Sequence, residues 1–208
     1  MIIRNPWEAN LLNFQLLMNQ ELPSKSSESQ IIATGKSFAK WSPLNDTIMG
    51  GSSEANCRLN SIGLVLEGEL IEEGGGFISC RSEVFNPPLN LAKYQGLQLE
   101  LEGEGRILKL AIACEGEFLR SENWFSEGLR WVADVPTRDS GRTRVNVPFN
   151  NLRPTVQAKS IPIPLEFDSS QIIQFQLLHS KFGESGSLNP GFRSGSIRIL
   201  LRSISGFF

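Results

Sequence analysis

The sequence predicts an all-β sandwich preceded by one amphipathic helix. Three observations carry that prediction. From residue 31 onward, short segments alternate apolar and polar residues at the two-residue period of a strand. Glycine and proline, 19 and 11 in the chain, punctuate these segments at short intervals. No second long helical pattern follows, so the strands cannot belong to alternating βαβ units. About eight to ten short strands of this kind build a sandwich or a barrel.

The elements follow in order. Over residues 5–20, Asn5 can cap a helix, Pro6 suits its first position and Glu8 falls three residues after the cap. Trp7, Leu11, Phe14 and Met18 recur on one face, widened by Leu12 and Leu16. That face is suited to packing on the body of the protein or to docking on a partner. The absence of lysine and arginine from residues 6–20 disfavours an anionic bilayer. Residues 21–30 are a polar, serine-rich linker. The expected organisation is therefore a helix and linker over residues 1–30 and a sandwich domain over residues 31–208.

Within the sandwich, residues 61–70 alternate at Ile62, Leu64, Leu66 and Leu70, with Gly68 interrupting. Residues 77–85 follow a triple glycine. Leu97, Leu99 and Leu101 alternate against Gln98, Glu100 and Glu102, a half-buried strand, and residues 107–113 follow a Gly-Glu-Gly turn as its expected hairpin partner. Residues 129–135 and 142–147 flank a Thr-Arg-Asp-Ser-Gly turn. Four prolines make residues 148–165 a long irregular connection. Residues 172–178 and 195–204 supply the last strands.

Composition narrows the function classes. A hydrophobic content of 40%, a charged content of 20% and a net charge of −2 describe an ordinary globular chain with no general attraction to nucleic acid or anionic membrane. The apolar runs are too short to span a bilayer as a helix, which leaves peripheral membrane association open, and no secretory signal is visible. Cys57, Cys80 and Cys114 are odd in number, and none forms a Cys-x-x-Cys pair. The expectation is three reduced, buried cysteines and a cytoplasmic or other reducing compartment.

Residues 41–53 combine turn chemistry with bulk. Pro43, Asn45, Asp46, Gly50 and Gly51 favour a turn, while Trp41, Ile48 and Met49 are large and apolar. Such a loop is expected to fold back onto a core, with Asp46 tying the turn and Trp41 and Met49 pinning it. The stretch Asn45-Asp46-Thr47-Ile48-Met49-Gly50-Gly51-Ser52-Ser53, followed by Gly75-Gly76-Phe77-Ile78-Ser79-Cys80-Arg81, resembles the complex I intermediate-associated protein 30 family. Val147-Pro148-Phe149 and Gly191-Phe192 match further segments of that family. Among the departures, Glu104 stands where the family usually has Asp and Leu108 where an aromatic is common. The resemblance implies a jelly-roll β-sandwich of galactose-binding-domain-like type. It also implies a role in assembling respiratory complex I or related photosynthetic membrane complexes.

Catalytic and metal chemistry find little support. The lone histidine, His179, has no Gly-x-Ser-x-Gly elbow to serve, and one histidine with scattered cysteines makes no metal site. Glu100, Glu102 and Glu104 alternate along one strand face, which suits a solvated surface better than a paired-acid hydrolase. No cofactor is expected. The candidate binding residues are Asp46 in the turn-rich loop, Trp124 and Trp131, and Arg142 and Arg144 beside the proline-rich connection. Exposed, the two tryptophans would form a protein hot spot or a sugar-stacking platform; buried, they would be core. The functional expectation is a non-enzymatic assembly factor or scaffold that binds protein subunits of a membrane-associated electron-transfer complex. Its alternative is a carbohydrate-binding module using exposed aromatics.

Overall fold

The computed structural model describes residues 29–115, 128–156, 159–161, 165–183 and 185–208. The helix expected over residues 5–20 lies outside the described residues, as do all but the last two residues of the linker. Those two residues open β1 (Ser29–Thr34). The strands that follow are β2 (Ser42–Pro43), β3 (Glu54–Leu59), β4 (Leu64–Leu70), β5 (Phe77–Arg81), β6 (Gly96–Glu102) and β7 (Ile107–Cys114). Then come β8 (Leu129–Pro136), β9 (Thr143–Pro148), β10 (Arg153–Val156), β11 (Lys159–Ser160), β12 (Ile172–Ser180) and β13 (Gly195–Phe207).

They form a jelly-roll sandwich of two antiparallel sheets. The six-stranded sheet runs β3-β4-β13-β6-β9, with β1 added along the C-terminal half of β13. The seven-stranded sheet runs β11-β10-β8-β7-β12-β5-β2. Alternation decides what faces inward. Leu97, Leu99 and Leu101 of β6 are fully buried and meet Leu108, Leu110 and Ile112 of β7 in one core. Burying each such side chain contributes about 2 kcal/mol. In β13 the inward set changes from Ile197, Ile199 and Leu201 to Ile204, because the register shifts between Leu201 and Ser203. A bulge of this kind moves the alternation by one residue.

Four expectations are corrected. Strands β6 and β7 are not a hairpin. Glu104 and Gly105 take φ of 55° and 72°, and the chain crosses from one sheet to the other there. The turn between β8 and β9 makes a second crossing beside it, joined by Gly105 N–H to Arg138 O at 2.7 Å and Thr137 N–H to Arg106 O at 3.1 Å. The proline-rich connection contains β10 and β11; Pro154 fits in β10 because β11, the edge strand, pairs only with Thr155 and Val156. Met49 does not pin its loop: it is 72% exposed, whereas Trp41 is buried edge-on against Phe38 at 5.5 Å. Finally, the cysteines are not all unpaired. Cys57 of β3 and Cys80 of β5 are bonded across the two sheets with Cα atoms 6.1 Å apart, a separation that suits a disulfide. Cys114 is the free one, its thiol pushed up to about 12 by burial and then by Asp168. The premise of the reducing-compartment inference, three unpaired thiols, therefore does not hold.

Candidate functional site

Asp46 joins the two sequence motifs into one structure. It opens a short 3-10 turn, Asp46–Met49, and its carboxylate is fully buried. Oδ1 accepts from Ser53 N–H at 2.9 Å. Oδ2 accepts from the Ser53 hydroxyl at 2.7 Å, Gly76 N–H at 2.6 Å and Phe77 N–H at 3.3 Å. Burial alone would raise its pKa. The hydrogen bonds from Gly76, from the hydroxyl and amide of Ser53, and from Phe77 outweigh that and hold it below the usual carboxylate range. Two glycines make room for the acid: a Cβ on Gly51 or Gly75 would sit 2.4 or 2.3 Å from Asp46 side-chain atoms. A carboxylate enclosed by N–H and O–H donors is an anion in a cage rather than a cation ligand.

The clasp fixes a wall. Leu44 N–H bonds Ser79 O at 3.0 Å, so the loop lies along β5 and overhangs the outer face of the seven-stranded sheet. Between loop and sheet lies a groove of about 380 Å³. Its floor is the outward set of the central strands, including Lys109 and Ala111 of β7, Arg130 and Val132 of β8, and Gln176 and Leu178 of β12. Its rim carries Ile48 at 65%, Met49 at 72% and Phe182 at 39% exposure. Exposed apolar side chains gathered around one concavity mark a contact surface.

The floor is not wholly apolar. Lys109 is only 4% exposed, although its strand position turns it away from the core. Burial lowers its pKa, and its cross-strand neighbour Asp134 acts in the opposite sense. Burial also lowers Arg130, with the positive charge of Arg81 acting in the same direction.

A model of the family described as Complex I intermediate-associated protein 30 (CIA30) matches residues 30–200. The chain belongs to the CIA30 family. No curated protein matches it by sequence. Among solved structures, the CIA30 domain is similar to a family 11 carbohydrate-binding module from Clostridium thermocellum in complex with a β-1,3-1,4-mixed-linked tetrasaccharide. That match has a TM-score of 0.60 and 13% identity, and covers 86% of this chain and 95% of the module. The family 11 module of the cellulosomal cellulase Lic26A-Cel5E of Clostridium thermocellum matches with a TM-score of 0.59 and 11% identity, over 88% and 95% of the two chains. At these identities the likeness establishes a shared fold. In fold the CIA30 domain resembles carbohydrate-binding modules.

The sequence-proposed residues do not converge. Asp46 stands behind the groove wall, buried and saturated by donors from Ser53, Gly76 and Phe77. Trp131 is buried, edge-on to Phe167 at 5.4 Å, and so offers no open ring; of its two readings the core one applies, because its position in β8 points it into the core. Trp124 lies outside the described residues. Arg142 and Arg144 stand over the other sheet, both paired with Glu100 at 3.2 and 3.0 Å. His179 is buried: Nδ1 lies 3.0 Å from Ile107 O, Nε2 accepts from Arg193 N–H at 3.4 Å, and the ring stacks on Phe192. Among the described residues no group of three His, Cys, Asp or Glu is placed to hold a metal, and no helix is long and apolar enough to cross a membrane.

Lys109, Arg130 and Leu178 were missed as site residues. One signal was available: Lys109, Ala111 and Ala113 alternate with Leu108, Leu110 and Ile112, so the non-core face of β7 is small and nearly apolar rather than charged. A strand like that has both faces covered or in contact with something.

Proposed function

We propose that this CIA30 domain is a non-catalytic binding module whose groove takes a polypeptide segment of a partner protein. The carrying observation is the chemistry of the groove. Its exposed rim is aliphatic at Ile48 and Met49, and Ala111, Val132 and Leu178 share the floor with Lys109, Arg130 and Gln176. Apolar side chains of a polypeptide fill such a surface by area burial, at about 25 cal/mol per Å². A sugar offers hydroxyl groups that an aliphatic wall leaves unpaired, at a cost of about 1–3 kcal/mol each. The family description supports a subunit or assembly intermediate of a membrane-associated electron-transfer complex as the partner.

The test is a paired pull-down from detergent-solubilised membranes with the full-length protein and its Met49→Asp variant, read by mass spectrometry. Subunits of one electron-transfer complex should be retained by the first and lost by the second. Equal recovery by both proteins, or recovery of no such subunit, rejects the reading.

Carbohydrate binding is the second reading, and one observation favours it: the sandwich shares its fold with a module solved in complex with a β-1,3-1,4-mixed-linked tetrasaccharide. The solved neighbours support it more directly than they support an electron-transfer partner. Phe182 is the exposed aromatic at the rim among the described residues. Titration with the same tetrasaccharide, followed by amide shifts of Phe182 and Gln176, decides between the two.

A further inference from the structure

The strand register carries the groove floor outward, beyond its lining residues, to an arginine on either side. Arg81 of β5 is opposite Gln176 of β12, Gln176 is opposite Ala111 of β7, Ala111 is opposite Val132 of β8, and Val132 is opposite Arg153 of β10. Directly paired residues in antiparallel strands share a face. The five therefore form one row on the outer face, with an apolar or amide centre between two guanidinium groups. Arg130 lies two residues along β8 from Val132, on the same face. Five strands spaced about 4.8 Å apart put roughly 19 Å between the ends of the row, the length of about six extended residues.

We propose that the groove takes an extended polypeptide segment crossing these strands, with acidic residues flanking an apolar centre. The two acids meet Arg81 and Arg153, while the centre lies over Ala111 and Val132 against Ile48 and Met49. This deepens the polypeptide-binding reading and rests on it.

Charge on the face agrees. Lys109 has Asp134 as its cross-strand neighbour, and Asp46 spends both oxygens on Ser53, Gly76 and Phe77, so the arginines set the sign of the row. The positive charge of Arg81 also bears on the half-buried Arg130. A carboxylate arriving near them relieves like-charge repulsion. Arg81 closes the Gly75–Arg81 motif, so the segment whose amides clasp Asp46 also supplies one end of the row.

A random twelve-residue phage-displayed library panned on the full-length protein tests this, with Met49→Asp as the counter-selection. Enriched peptides should carry two acids about five or six positions apart around apolar residues. Changing either acid to its amide should weaken binding about tenfold at low salt, with less effect at high salt. Arg153→Gln, at an exposed position, should abolish sensitivity to one of the two acids, and Arg81→Gln sensitivity to the other. If the peptides bind the groove but amide replacement changes affinity by less than twofold, the acidic flanks are wrong and the polypeptide groove stands. If nothing is enriched over the Met49→Asp control, or polygalacturonate or mixed-linked β-glucan binds there in place of peptides, both readings fall.

Discussion

The outer faces of the two sheets use their charges in opposite ways. On the six-stranded sheet, Glu67 lies 2.6 Å from Arg58 and 3.6 Å from Arg198. Glu100 holds Arg142 and Arg144, and Glu102 holds Arg202. Each of these three acids is placed against a base, whereas Glu54 and Glu69 face each other across β3 and β4. On the seven-stranded sheet, Lys109 and Arg130 sit in a groove with apolar neighbours, and the row of paired residues that crosses it holds Arg81 on one side and Arg153 on the other. One surface is satisfied internally; the other is arranged to be completed by something else. Exposed ion pairs contribute little to stability, so the first face does not explain why the domain folds. Its value lies in keeping a strand-edged, alternating surface from pairing with other chains.

Breaking the groove wall should have the largest effect. Asp46→Ala leaves buried N–H groups of Ser53, Gly76 and Phe77 without their acceptor and is expected to cost about 3–4 kcal/mol in urea unfolding. Unchanged stability with lost partner binding would instead make Asp46 a recognition residue. Because its folded pKa is depressed, this stabilisation is present above the unfolded carboxylate pKa and is lost as pH falls through the folded value.

The next effect belongs to neither outer face. His179 is lowered from 6.5 to about 4, by burial first and then by Arg106, Arg193 and Lys109, with the Ile107 carbonyl opposing. The unfolded chain therefore binds the proton more readily. Stability is full above pH 6.5 and falls by about 3 kcal/mol as pH drops toward 4. His179→Gln should flatten that part of the profile; a slope unchanged by the substitution would show that other groups carry it.

Smaller effects compare the faces directly. Met49→Asp, at a 72% exposed position, should leave unfolding within about 0.5 kcal/mol and abolish groove binding. Arg144→Ala should cost less than about 0.5 kcal/mol and leave groove binding unaltered. If Arg144→Ala removed binding instead, the functional face would be the six-stranded one.

Much of the architecture was readable because burial on one face writes a two-residue period. Leu97, Leu99 and Leu101 show it plainly and are all fully buried. That period says which face a residue occupies but not which sheet its strand joins, so the crossing at Glu104 and Gly105 looked like a hairpin. Strand β3 went unrecognised because an edge strand reading Glu-Ala-Asn-Cys-Arg-Leu buries little beyond Ala55. At the site, the motif around Asp46 was conspicuous because clasping a buried carboxylate demands glycine and serine at fixed places. The groove was not, since its depth depends on a loop from residues 44–49 meeting strands more than sixty residues away. No local pattern encodes that meeting.

Strand β13 has a consequence for synthesis. It pairs with β4 and β1 on one side and β6 on the other, so the middle of the six-stranded sheet is the last strand to be made. Until it leaves the ribosome, β4 and β6 expose edges where β13 belongs, just as β5 and β7 of the other sheet wait for β12 until Ser180 has been made. The nascent chain must therefore hold an unfinished sheet through most of its translation, and a truncation before Gly195 should yield an aggregation-prone product rather than a smaller domain.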